Sequence, residues 1–131
     1  MKKQLTIGSE IDHHFVVDES MFPTFNSQTV HPVCSTYHLV KEIEWTSRKF
    51  VLIVMSSDEE GVGTKVTINH LAPALKGEEV KIHAVVDFFD GRELICSYEA
   101  RVKNRIIAKG ETGQKIVKKE KLVRLLSSLG G

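Results

Sequence analysis

The chain reads as an α+β domain in which an antiparallel five-stranded sheet wraps around one long central helix. Three observations predict it. An apolar pattern of helical period follows Val33-Cys34-Ser35 and runs to Met55. Four alternating stretches come after residue 60, separated by short polar turns. A further alternating run, Ile11 to Val17, precedes the helix. Strands joined by turns too short for a crossover pair antiparallel, and their apolar faces need the helix as cover. With 131 residues the chain suits a single domain, 1–131, with one core.

In the first strand Ile11, His13, Phe15 and Val17 share one side. The stretch Asp18–Ser35 has no period, yet it holds Met21, Phe22, Pro23, Phe25 and Pro32. So long and apolar a connection reads either as a cover over a pocket, with Phe22 and Phe25 toward a substrate, or as a packed irregular link. Ser35 or Thr36 caps the helix. Leu39, Val40, Ile43, Ser47, Phe50, Val51 and Val54 then fall within an arc of about 120°. Lys41, Glu42, Arg48 and Lys49 lie outside it, and Trp45 is nearly opposite its centre. An indole there points to a second apolar contact, such as a subunit interface.

Ser56–Gly61 is a polar turn. Val62–Leu71 alternates, with Val62, Thr64, Val66, Ile68 and His70 on the helix side, and Pro73 stops it. Lys76-Gly77-Glu78 turns. Glu79–Phe89 alternates through Val80, Ile82, Ala84, Val86 and Phe88, and Asp90-Gly91 signals a hairpin. Glu93–Lys103 alternates through Leu94, Cys96, Tyr98, Ala100 and Val102, Lys103-Asn104 turns again, and Arg105–Val117 is the last strand. From Lys118, Leu122, Leu125, Leu126 and Leu129 recur at helical spacing. They predict a short amphipathic helix that packs on the sheet or on a partner chain.

The formal net charge of +1 gives no electrostatic reason to expect a nucleic acid or a membrane surface as partner. Cys34 and Cys96 form no C-x-x-C pair, which fits a reducing cytoplasm. Met-Lys-Lys-Gln-Leu-Thr-Ile is basic without an apolar run behind it, and no stretch approaches a membrane span. Histidines 13, 14, 31, 38, 70 and 83 lack the H-x-x-x-H and H-E-x-x-H spacings, so neither a metal nor a cofactor is expected.

His70 stands at the rim of an apolar face, where it can act as a general base or sit as a core histidine with one hydrogen bond. Glu44 borders the apolar arc, about 80° round from Thr36. It reads as a carboxylate perturbed by the core or as a surface glutamate. Gly63 punctuates a turn or lets a backbone N–H approach a ligand oxygen. Cys34 near His38 has the elements of a thiol nucleophile, but nothing in the sequence orients the pair, and a buried thiol is the simpler reading.

Three pieces carry a resemblance. A threonine stands eight residues before Glu-Trp (Thr36, Glu44-Trp45), and Gly63-Thr64 is followed at His70 by His-Leu-Ala-Pro-Ala. The opening Gly8–Val17 contains His13-His14-Phe15-Val16-Val17. In this order and spacing the chain, from about Ile7 to Leu122, resembles the fluoroacetyl-CoA thioesterase-like family of hotdog-fold acyl-CoA thioesterases. The resemblance implies hydrolysis of an acyl-CoA thioester by Thr36, Glu44 and His70, with Gly63 close to the thioester carbonyl. It also implies a homodimer or higher oligomer with the site at the subunit interface, which suits Trp45. Gln114 stands where the family can carry an arginine toward the substrate, and a preference for a fluorinated acyl group is not carried over. The competing expectations are a non-catalytic acyl-CoA-binding module and hydration or dehydration of an acyl thioester.

Overall fold

The computed structural model describes residues 5–130, so the basic start Met1–Gln4 lies outside the described residues. The elements are β1 (Glu10–Val16), a 3-10 turn (Glu19–Met21), β2 (Thr24–Phe25), β3 (Gln28–Thr29) and α1 (Thr36–Val54). After them come β4 (Glu59–Val66), β5 (Asn69–His70), β6 (Glu79–Phe89), β7 (Glu93–Val102), β8 (Arg105–Lys118) and α2 (Lys119–Gly130). The main sheet runs β1-β6-β7-β8-β4, and β5 lies beside β8 as a second piece of the same edge. Every pairing is antiparallel. α1 touches both edges, β1 and β4, as well as the inner strands β6 and β8. A sheet can do that only by curling round the helix, which is the expected architecture.

The curl is driven by burial. Leu39, Ile43, Phe50 and Val51 of α1 are sealed against Val80, Ile82, Ala84 and Val86 of β6 and the inward residues of β7. Each fully buried aliphatic or aromatic side chain contributes on the order of 1.5–3 kcal/mol. Two polar residues share that face. The buried hydroxyls of Thr46 and Ser47 donate to the carbonyls of Glu42 (2.7 Å) and Glu44 (3.2 Å), which satisfies them inside the helix's own turns.

The helix bounds are close to those expected: Ser35 is the N-cap and Met55 ends the last turn. All five expected inward residues of β7 are buried. In β6 the inward set holds through Val86, but Phe88 is 44% exposed. The register slips between Val86 and Phe88, an extra residue that flips the following side chain and gives the inner place to Phe89.

The run Val62–Leu71 departs most from its expected form. The strand begins earlier, at Glu59, so the polar turn is shorter. Its register against β8 slips between Gly63 and Lys65, and it is interrupted before Asn69. The bulge turns Thr64 outward, while Val66, Ile68 and His70 stay half-buried on the helix side. The Asp18–Ser35 connection is also more ordered than expected. It contains the hairpin β2–β3, turned at Asn26 (φ 52°) and Ser27 (φ 65°), the pair of positive values that two-residue hairpins require. α2 forms as expected and touches β8, but Leu125, Leu126 and Leu129 remain exposed.

On the outer face of β1 and β6, His83 lies between Asp12 and Glu10. The hydrogen bond to Asp12 is the chief cause that raises the His83 pKa above its ordinary 6.5, with Glu10 adding to it. The same bond lowers Asp12 below 3.8. The imidazolium is therefore favoured in the fold. Its stabilisation is full below pH 6.5 and fades as pH rises through the raised value. Asp12 contributes above pH 3.8 and loses its part as pH falls through its lowered value. A proton NMR titration is expected to place the His83 midpoint above 6.5 and to show it falling in Asp12→Asn. An unchanged midpoint in that variant would mean that Asp12 does not set it.

Candidate active site

The start of α1 divides its labour between two adjacent hydroxyls. Ser35 Oγ accepts the His38 N–H at 2.9 Å and closes the cap. Thr36 is thereby free for a tertiary contact, and its Oγ1 lies 2.8 Å from Nδ1 of His70. β5 delivers that histidine from the far side of the bulge, across 34 residues of chain. Burial lowers the His70 pKa below 6.5, and a contact with the Ala72 backbone opposes the shift. The imidazole is thus neutral at pH 7 and able to accept a proton from the threonine hydroxyl. The first two helical N–H groups, of Thr36 and Tyr37, make no hydrogen bond among the described residues. Free N–H groups at a helix start form a positive end suited to a developing oxyanion.

Thr36 and His70 line a cavity of about 730 Å³ whose other walls include Phe22, Pro23, Phe25 and Val33. The Asp18–Ser35 connection is therefore one wall of this cavity, and both phenylalanines expected to meet a substrate stand in it. Cys34 lines it as well. Desolvation pushes its thiol up to about 11 and its Sγ–H is directed at the Ser35 carbonyl, so it stays protonated at neutral pH.

Glu44 lies elsewhere. Eight residues along the helix is about 12 Å of rise, and the group faces a second cavity of about 480 Å³. Gly63 forms the opposite wall, where an added Cβ would come within 3.5 Å of Glu44 Oε2. Trp45, 44% exposed, stands at the same cavity. Gln114, paired with Gly63 across the strands, lines it too, with its amide buried and donating to Ser47 Oγ at 3.1 Å. Within the chain the structure thus brings Thr36 and His70 together and sets Glu44, Gly63 and Gln114 in a neighbouring cavity.

The profile of the family described as fluoroacetyl-CoA-specific thioesterase matches residues 17–120. The chain belongs to that family. It is a thioesterase that hydrolyses acyl-CoA thioesters on a hotdog fold. A crystal structure from Thermus thermophilus, described as a thioesterase superfamily member, is 33% identical to it. That likeness covers 98% of this chain and 95% of the other, with a TM-score of 0.90. The fluoroacetyl-CoA thioesterase FlK matches at 20% identity, 96% and 98% coverage and a TM-score of 0.84, and so shares the fold. A hot-dog-like protein from Thermanaerovibrio acidaminovorans matches at 21%, 95% and 93%, with a TM-score of 0.83. A search of curated proteins finds no match.

One cluster in this thioesterase escaped the sequence reading. Glu42 extends one oxygen to His13 Nε2 (2.8 Å) and the other toward His38 Nε2 (2.8 Å), with all three side chains only 15–16% exposed. Signals existed: His38 and Glu42 are four apart on a helix, and His13 has the inward parity of Phe15. Their meeting depends on β1 crossing the helix, which no local pattern reveals.

Proposed function

We propose that Thr36, Glu44 and His70 are the catalytic set of this acyl-CoA thioesterase. The observation that carries the reading is the 2.8 Å Thr36–His70 bond at the helix start, inside a largely apolar cavity. His70 moves protons, Thr36 orients it and the substrate carbonyl, and the free N–H groups of the helix start take the oxyanion. Glu44 attacks the acyl carbon or activates water, with Gly63 leaving room beside it for the carbonyl. Phe22 and Phe25 contact the acyl group, and Gln114 helps to shape the second cavity. Lys41 at that cavity offers positive charge to the phosphates of CoA, while Arg48 and Lys65 beside it are paired with Glu60 and Glu111.

The separation of Glu44 from Thr36 and His70 supports a homodimer, in which the Glu44 cavity of one protomer faces the Thr36–His70 cavity of the other. Exposed Trp45 and the outer edge of β4, unpaired among the described residues, are the surfaces for that contact. Two buried, unpaired thiols agree with a cytoplasmic setting. No helix among the described residues is long and apolar enough to cross a membrane.

The test is thiol release from a panel of acyl-CoA esters. Wild type is expected to turn over repeatedly, and Glu44→Ala to be slower on the same esters. Binding without release of thiol would reject the hydrolytic reading, and unimpaired Glu44→Ala would remove that carboxylate from the set.

A further inference from the structure

We propose that His38, held by Glu42, is a second proton-accepting base of the Thr36–His70 cavity, and that Glu42 and His13 are its positioning residues. This rests on the thioesterase reading above.

The two ring nitrogens of His38 are in different situations. Nε2 is buried and turned toward Glu42 Oε2, 2.8 Å away but off the line of a good hydrogen bond. The carboxylate oxygen beside Nε2 favours the tautomer with the proton on Nε2, which leaves Nδ1 as the lone-pair nitrogen. His38 lines the same cavity as Thr36 and His70, and its backbone is fixed by the Ser35 cap. The ring packs edge-on to Phe15, with centroids 5.6 Å apart, which limits its rotation. A carboxylate behind an imidazole orients the ring and selects its tautomer, as in hydrolytic triads.

Glu42 is itself held from behind. Lys49 Nζ lies 3.0 Å from His13 Nδ1, and an ammonium can only donate. His13 therefore carries its proton on Nε2 and donates it to Glu42 Oε1 at 2.8 Å. The charged and titratable groups that face this chain of contacts are Lys49 on α1, the Asp18 carboxylate within electrostatic reach of His38, the Cys34 thiol within electrostatic reach of Glu42, Lys41 and Glu44 at the cavity shared with His13 and Glu42, and His31, Tyr37 and His70 around the cavity that His38 lines. A largely desolvated carboxylate shared by two imidazoles is costly as a mere fastening, and the misaligned second contact leaves one buried nitrogen without a hydrogen-bond partner. A base waiting for a proton accounts for both features.

In the water step, a water O–H gives its proton to His38 Nδ1 as its oxygen bonds to the acyl carbon. The carbonyl pair moves onto oxygen. When the tetrahedral centre collapses, the bond to sulfur, or to Glu44 oxygen if that carboxylate was acylated, breaks with its electron pair. The imidazolium returns its proton to the sulfur, or to solvent when a carboxylate leaves. The products of one turnover are a carboxylate, a thiol and one proton in solution.

The experiment is steady-state kinetics of acyl-CoA hydrolysis for wild type, His38→Gln, Glu42→Gln and His13→Gln, each checked by thermal melting. His38→Gln is expected to lower kcat by about 10² with KM little changed, and added imidazole to restore part of it. Glu42→Gln is expected to lower kcat by a smaller factor, again with KM little changed, because the imidazole remains but loses the carboxylate that positions it. His13→Gln is expected to lower kcat by less still. A folded His38→Gln or a folded Glu42→Gln with wild-type kcat overturns the proposal. Should His38→Gln fail to fold, the kcat of Glu42→Gln decides alone. A wild type that releases no thiol from any ester sinks the thioesterase reading itself, a result distinct from active variants with unchanged kcat.

Discussion

Replacing His70 by alanine is expected to lower kcat for acyl-CoA hydrolysis by about 10²–10⁴, the range for a lost general acid–base group. The imidazole has one side-chain partner, Thr36 Oγ1, so the loss should fall on chemistry more than on the fold. Thr36→Val keeps the shape and removes the hydroxyl. It is expected to reduce kcat as well, by less, because the imidazole remains but is no longer oriented. The pH profile adds a sign. Burial lowers the His70 pKa, so the neutral, proton-accepting form persists below pH 6.5 and the contribution of His70 to the rate is lost as pH drops through the lowered value. The unfolded chain takes up that proton first, near 6.5, so acidification below 6.5 also costs stability. His70→Ala is therefore expected to be the less acid-sensitive fold. Stopped-time thiol assays and melts across pH 4–8 check both halves, and His70→Ala with wild-type kcat would place the catalytic proton transfers elsewhere.

Gly110→Ala is expected to destabilise the protein by about 1–3 kcal/mol, the usual cost of overpacking, or somewhat more. An added Cβ would stand 2.1 Å from the Thr67 carbonyl oxygen and 2.8 Å from its carbon, both backbone atoms with little freedom to move. That carbonyl is pinned from another side by the Tyr98 hydroxyl, which donates to it at 2.7 Å. The Tyr98 phenol is desolvated enough to be pushed up to about 12, so it remains a donor throughout the working range. Thr67 is also tied to β8 by exchange with Glu111: its N–H donates to the Glu111 carbonyl (2.9 Å), and its Oγ1 accepts the Glu111 N–H (2.9 Å). The clash therefore cannot be relieved locally. It must lift the edge between β4 and β5, and with it His70. The variant is expected to lose activity beyond what its melt explains, and the imidazole NMR signal of His70 to shift as its hydrogen bond to Thr36 breaks. Wild-type stability in urea would show that this crossing point is softer than its geometry implies.

Gly110 marks the limit of what local sequence pattern can reveal. Alternation located β7 to within a residue, because a period of two is a property of neighbours in the chain. The apolar arc located α1 for the same reason, and the Ser35-Thr36 pair announced its start. The resemblance to the thioesterase family named candidate site residues from short spaced motifs. It could not say which of them meet. The interruption of Val62–Leu71 arises because Thr67 sits on Gly110, more than forty residues later. Likewise the Phe88 flip needs the pairing partner on β7. The division of caps, Ser35 for the helix and Thr36 for His70, emerges only when β5 is placed beside β8.

By itself the sequence determined the periodic elements, the antiparallel order and the family's candidate residues. These depend on contacts between near neighbours and on short spaced motifs. The tertiary structure decided that Thr36 and His70 share one cavity, that Glu44 faces another, and that Glu42 joins His13 to His38. Each of these is a distance between residues brought together by strand pairing and by the sheet curling round α1. Such distances are set by how whole elements pack, so no pattern in the neighbourhood of any one of these residues contains them.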